Sequence, residues 1–226
     1  MAKQSKRFQA ATKKVDANKK YTVAEAVTLL KTFDKAKFDE SIEVVMKLGI
    51  DPKQSDQVVR GSVALPKGIG KSVRVIAFAT GQKAEDAKAS GADAVGGDDL
   101  VAKVAGGWTD FDVAVAAPDM MRSVGKLGRI LGPVGKMPSP KSGTVSENIA
   151  QAVKEFKAGK IEFRTDTGGN VHALVGKMSF STADLQANVE AFLAHIISLK
   201  PSSAKGTYLQ KAVVCATMSP GVKLAV

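Results

Sequence analysis

Arg122, Lys126, Arg129, Lys136 and Lys141 fall within twenty residues that hold no Asp or Glu. Five positive charges with no acid beside them can hold a polyanion. The glycines at 125, 128, 132, 135 and 143 leave backbone N–H groups open to close approach, and Pro133, Pro138 and Pro140 exclude a long helix. The segment from Arg122 to Ser146 therefore reads as a basic, polyanion-facing loop rather than a core element. A solvated Gly/Pro linker is the alternative, but Leu127, Ile130, Leu131, Val134 and Met137 are too apolar for one. They ask to be packed while the basic ends stay in water.

Other chemistry-bearing patterns are weaker. Gly68-Ile69-Gly70-Lys71-Ser72 has the ending of a phosphate-binding P-loop, but Leu65 stands where the first glycine belongs, and the segment precedes a strand instead of opening a helix. Gly125-Lys126-Leu127-Gly128 and Gly132-Pro133-Val134-Gly135 fit the four-residue GXXG loop that clamps RNA backbone, a pattern common in Gly-rich loops. His195 flanks an apolar helix face and reads as a structural histidine; His172, two residues past a turn, is a candidate donor to RNA. No Ser, His and Asp set and no paired carboxylates suggest an enzyme. One cysteine, Cys215, excludes an internal disulfide and reads as a buried strand residue. With only two histidines no structural zinc set remains, and neither metal nor cofactor is expected.

The totals agree with a polyanion partner. Of 226 residues, 33 are basic and 22 acidic, leaving +11, which favours nucleic acid or an anionic surface. Aromatic residues make up 5%, too few for a base-stacking platform as the main device, so shape and backbone readout are expected. No apolar run approaches the roughly 20 residues of a membrane helix, and no signal peptide is evident, so a soluble, intracellular protein without a membrane partner is expected.

The elements that must position these residues follow from periodicity. Residues 1 to 20 carry Lys3, Lys6, Arg7, Lys13, Lys14, Lys19 and Lys20 against Asp16 alone, a basic arm that is either a solvated tail or a phosphate-contacting extension. Thr22 and Glu25 form a capping box opening a helix with Val23, Val27, Leu30 and Phe33 inward. Beyond the polar break from Asp34 to Lys37, Ile42, Val44, Met46, Leu48 and Ile50 alternate as in a half-buried strand, and Val58 to Leu65 makes a second. From Lys67 to Gly159 short apolar strands (Val73 to Ala79, Ala94-Val95, Val113 to Ala117) alternate with Ala-rich helices (Lys83 to Ala89, Asp98 to Ala105, and one capped by Ser146 through Phe156), the texture of a doubly wound parallel sheet. Afterwards one-sided strands return: Ile161 to Thr165, a hairpin turn at 167 to 170, and Val171 to Val175. A helix capped by Ser181 and Asp184 follows, with Leu185, Val189, Phe192, Leu193 and Ile196 inward, then a strand from Leu209 to Thr217.

The predicted fold class is α/β in two domains. A split α+β domain of ferredoxin-like, split βαβ type is made from residues 1–66 and 160–226, and a Rossmann-like three-layer domain, 67–159, is inserted between its halves. The split domain holds 20 basic and 12 acidic residues, net +8, and the insert 13 and 10, net +3, so the split domain is the stronger candidate for polyanion binding.

The segment GKLGRILGPVGKMPSPKSGT closely resembles the signature of the large-subunit ribosomal protein one family. AKFDESIEVVMKLGIDPKQSDQVVRG, KIEFRTDTGGNVHALVGKMSF, KGTYLQK and TMSPGV resemble further segments of that family in the same order, so the resemblance covers nearly the whole chain. It implies that the split domain binds a folded element of large-subunit rRNA through Phe38, Ser41, Arg60, Arg164, Asp166, Thr167, His172, Lys177, Lys205, Thr207, Thr217, Met218, Ser219, Pro220 and Gly221. Hydroxyls of Ser41, Thr207 and Thr217 would meet phosphate or ribose oxygens, and Phe38 and Met218 would meet sugars or bases. Arg122, Lys126, Arg129, Lys136 and Lys141 would remain a secondary basic loop. One departure stands out: Ser219 occupies a glycine position of the family pattern, which matters if RNA approaches closely there or the backbone needs a positive φ. The following Gly221 restores some freedom.

The resemblance further implies a cytoplasmic, ribosome-associated protein, monomeric within the ribosome, that heads the mobile side stalk, assists release of exit-site tRNA and represses its own mRNA. Rival expectations are a stand-alone RNA-binding translational regulator and a nucleotide-dependent enzyme using the insert.

Overall fold

A computed structural model describes residues 4–34 and 36–225. Lys3 of the basic arm and Lys35 of the polar break lie outside the described residues. Along the chain the elements are α1 (Lys6–Lys14), α2 (Val23–Lys31), β1 (Ser41–Leu48), β2 (Arg60–Ala64), β3 (Val75–Phe78), α3 (Gln82–Ala89), β4 (Ala94–Gly96), α4 (Asp98–Ala105), β5 (Val113–Ala116), α5 (Met121–Val124), α6 (Gly128–Val134), α7 (Ile149–Ala158), β6 (Lys160–Arg164), β7 (Asn170–Lys177), α8 (Thr182–Ser198), β8 (Leu209–Ala216) and β9 (Val222–Lys223). They divide into two compact units, Met1–Gly70 with Ile161–Val226, and Lys71–Lys160.

The first unit is the split α+β domain. Its main sheet has the order β7-β1-β8-β9, with β1 antiparallel to both β7 and β8, so a strand from the first part of the chain sits between two from the last part. Strict alternation in β1 buries Ile42, Val44, Met46 and Leu48 and turns Ser41, Glu43, Val45 and Lys47 the other way. The buried face is covered by α2 and α8, which pack on each other and on the strands. Both helices start as their residues dictate. The Thr22 hydroxyl accepts from Glu25 N while Thr22 N donates to Glu25 Oε2, and Ser181 Oγ accepts from Asp184 N. Leu30, Leu185, Val189, Phe192 and Ile196 are fully buried, each contributing roughly 2 kcal/mol. Phe163, from the small β2-β6 sheet, meets Phe192 edge to face at 5.7 Å and His195 at the same distance, which confirms His195 as a packed histidine.

The second unit is Rossmann-like. Its parallel sheet has the order β4-β3-β5, and β3 is buried along its whole length. Helices α3 and α7 pack together on β3, while α4 joins β4 and α5. A parallel sheet covered by helices explains why Val75 to Phe78 form an unbroken apolar run.

Several sequence expectations change. The arm is not featureless: Ser5 caps α1 by accepting from Phe8 N, and Ala11 is buried. Lysines on its outer face disguised a helix whose inward contact is one small residue. The segment from Arg122 is not a loop either. It winds through α5, a 3-10 turn at Gly125–Leu127 and α6, burying Val124, Leu127 and Leu131, so both GXXG matches fall on helical turns and their flanks. Pro133 lies inside α6, where it lacks the N–H for a bond to the carbonyl four residues back, and the helix ends directly after it at Gly135, φ 74°. Asn148, not Ser146, caps α7, accepting from Gln151 N at 3.1 Å. Strands β6 and β7 do not form a ladder: one bridge, Thr165 to Val171, joins them before they part into different sheets. Cys215 lies on β8 but is half-buried, on the uncovered face.

Candidate nucleic-acid interface

The face of the main sheet turned away from α2 and α8 carries most of the polar chemistry of the first unit. Register places Ser41 beside Lys177, Val45 beside His172, Glu43 beside Cys215 and Lys47 beside Lys211. Sequence reasoning left out Lys47 and Lys211, although both occupy the polar phase of alternating strands.

Many of the proposed site residues fall into two groups at opposite ends of β1, with His172 between them. At one end Lys177 Nζ donates to Ser41 Oγ at 2.8 Å, leaving the Ser41 proton for a ligand. The Thr217 hydroxyl is already engaged. It accepts from Ser41 N at 3.1 Å and donates to Ser41 O at 3.3 Å, so Thr217 closes the sheet end while its oxygen keeps one acceptor position. Phe38 and Met218 stand 55% and 52% exposed there, unusual for large apolar side chains.

The turn from Thr217 to Gly221 answers the backbone half of the question raised by Ser219. Among the described residues no non-glycine has a positive φ, so this position does not require glycine for its backbone. The Ser219 hydroxyl accepts from Ala216 N at 2.9 Å and holds the turn. Gly221 is needed for space rather than freedom: a Cβ there would lie 2.7 Å from Val213 Cγ1. Pro220 is half-buried in the same turn.

At the other end two loops meet β1, through Leu48 N to Gly169 O at 2.9 Å and Gly49 N to Tyr208 O at 2.6 Å. They bring exposed Thr167, Lys205 and Thr207 together, about 24 Å along the strand from Ser41. Asp166 organises its turn, accepting from Gly168 N, Asn170 N and Asn170 Nδ2, and these bonds, the Asn170 side chain first, hold its carboxyl below the ordinary value. Asp166 thus shapes the turn that presents Thr167. Arg60 and Arg164 sit on the β2-β6 sheet, partly buried and exposed respectively.

In the insert Arg122, Lys126 and Arg129 are spaced by four and three residues along α5, the 3-10 turn and α6, all exposed, with Lys141 exposed beyond them. Lys136 differs. Its ammonium donates to the carbonyls of Thr109 and Phe111 and lies 5.1 Å over the Phe111 ring, so it anchors the segment. Lys71, from the P-loop-like stretch, pairs with Asp112 at 2.8 Å and holds that carboxyl below its ordinary value. Among the described residues no group of three or more His, Cys, Asp or Glu could hold a metal ion, and no helix is long and apolar enough to cross a membrane.

A split α+β domain carrying an inserted Rossmann-like domain, with an uncovered sheet face bearing lysines and hydroxyls, defines a two-domain α/β class of protein. The chain belongs to the ribosomal protein L1p/L10e family, whose model matches residues 30–220. It is 54% identical over 224 residues to large ribosomal subunit protein uL1 of Kosmotoga olearia, covering 99% of this chain and 97% of that protein. It is 55% identical over 226 residues to the protein of that name from Clavibacter sepedonicus, covering 100% and 99%. These relatives are named as ribosomal proteins, not as enzymes.

Proposed function

We propose that this protein is a structural constituent of the large ribosomal subunit and binds large-subunit rRNA across the uncovered sheet face. The observation that carries this reading is the alternation of β1 and β8. It buries one phase under two helices and leaves Ser41, Lys47 and Lys211 with the neighbouring Lys177 on the other, in a unit with a formal excess of basic residues. Lysines at both ends of the face suit two backbone segments of a folded RNA, and hydroxyls suit ribose. The second basic surface, Arg122, Lys126 and Arg129, is offered to exit-site tRNA, whose release the protein assists at the mobile side stalk. The free protein represses its own mRNA by presenting the same sheet face to a message that imitates the rRNA site.

Pull-down from cell extract with sequencing of bound RNA tests the assignment; recovery of one large-subunit rRNA segment is expected. The slope of log K against log salt for that segment should be negative, with a salt-insensitive remainder from hydroxyl and apolar contacts. A slope near zero would remove the phosphate contacts, and no enrichment of rRNA would remove the function.

A further inference from the structure

Glu40 is the one carboxylate among the buried polar side chains of the described residues, at 5% exposure. Its Oε2 accepts from Met218 N at 3.0 Å, and its Oε1 accepts from Ala36 N at 3.1 Å with Arg7 Nη1 at 3.5 Å as counter-charge. Each bond has a consequence at the surface. The bond to Ala36 closes a short loop with Phe38 at its middle, and the bond to Met218 fixes the backbone that carries the Met218 side chain. The two large apolar side chains exposed at this end of the sheet are therefore held by the two oxygens of one buried group.

An anion beneath a polyanion site works against binding unless its charge is spent elsewhere, and here two backbone donors and an arginine spend it. We propose that Glu40 is a positioning residue for RNA recognition: it sets the spacing of Phe38 and Met218 before the ligand arrives, so that they close on a sugar or base without first being ordered. Ordering two loops on binding would otherwise be subtracted from affinity. This rests on the RNA reading of the sheet face and adds to it a residue that touches no RNA.

The test uses the full chain and a transcript of the large-subunit rRNA segment recovered in the pull-down. Glu40→Gln keeps the size of the side chain but puts an amide donor against one of the two backbone N–H groups. Affinity should fall about tenfold, the weight of roughly one misplaced buried hydrogen bond, while the salt slope stays unchanged because no phosphate contact is lost. The Met218 amide should exchange slowly in the free wild type and faster in the variant. Combining Glu40→Gln with Met218→Ala should cost less than the sum of the two single changes, since part of the Glu40 effect acts through Met218. Unchanged affinity of Glu40→Gln, additive losses in the double variant, or an unprotected Met218 amide in the wild type would each overturn the proposal. The amide measurement needs no variant, and Glu40→Asp, one methylene too short to bridge, replaces Glu40→Gln if that chain does not fold. Absence of saturable RNA binding by the wild type is a separate outcome that overturns the RNA reading itself.

Discussion

Nδ1 of His172 lies 2.8 Å from Oε1 of Glu43 across the β1–β7 pair, and Nε2 of the same ring lies 3.8 Å from Oδ2 of Asp166. The middle of an otherwise cationic face thus holds an imidazole between two carboxylates. Glu43 also reaches the neighbouring strand. The Cys215 thiol is pushed up from its ordinary value by burial and then by the Glu43 charge.

Replacing Glu43 by Gln should therefore act twice. The thiol should ionise at lower pH and alkylate roughly twofold faster near pH 8, read with a fluorogenic maleimide. RNA affinity at low salt should rise by roughly threefold, the scale of one exposed charge interaction. A slower thiol reaction would show that Glu43 does not set its environment.

Asn188 is fully buried on α8, where it accepts from Lys67 N at 3.0 Å and donates to Gly68 O and Val175 O at 2.8 Å each. It ties the segment leading into the insert to the core of the first unit. Asn188→Ala leaves one donor and two acceptors without their partner and should cost about 3 kcal/mol. Urea unfolding of the full chain measures it; a loss under about 1 kcal/mol would mean that other groups or water take over the bonds.

The family-like change Ser219→Gly is expected to destabilise the fold. It removes the acceptor of Ala216 N and adds backbone freedom to the turn, about 1 kcal/mol together. Thermal unfolding measures the loss, and an unchanged midpoint would show that the Ser219 hydroxyl does not hold the turn.

Asp166 gives the turn at 166 to 169 an acid sensitivity. Its folded value lies below the ordinary 3.8, so at acidic pH the unfolded chain binds the proton first. The stability it adds is present above the unfolded value and is lost as pH falls through the folded one. Asp166→Asn should flatten the stability profile below about pH 4 and leave its shape near neutrality unchanged. Comparing unfolding midpoints across that range is sufficient.

Excising the insert should be done at the structural boundary, after Gly70 and before Ile161, because Lys67 and Gly68 belong to the Asn188 network. Strands β2 and β6 are neighbours in one sheet, so the chain leaves and returns close by and a short Gly/Ser linker suffices. The joined halves should fold and keep most of the specific RNA affinity in calorimetric titration. Tight, specific binding by the isolated insert would place the main site there instead.

The sequence made elements legible where one rule dominated. The period of two in Ile42 to Leu48, the capped helices at Thr22 and Ser181, and the apolar strand at Val75 all read directly. It misled where a residue's local preference was outvoted. Glycine and proline suggested a loop from Arg122, yet the buried Leu127 and Leu131 wind it into helical turns. At the site, residue types were visible but their allegiance was not. The letters show that Thr217, Asp166 and Lys136 carry polar groups, but not that each also bonds to backbone elsewhere in the fold. Glu40 was hidden for the converse reason, since an acid in a basic protein reads as surface until its burial and distant partners are known.

The sheet order β7-β1-β8-β9 also dictates a sequence of events during synthesis. Strand β1 emerges early, but both its neighbours are made after the insert, so its apolar phase has no sheet to join while Lys71–Lys160 is completed. The insert, whose contacts are closer in sequence, can fold first as a unit. A nascent chain halted just after Lys160 would then carry one finished domain and one exposed half-sheet strand, the condition in which a chaperone finds its client.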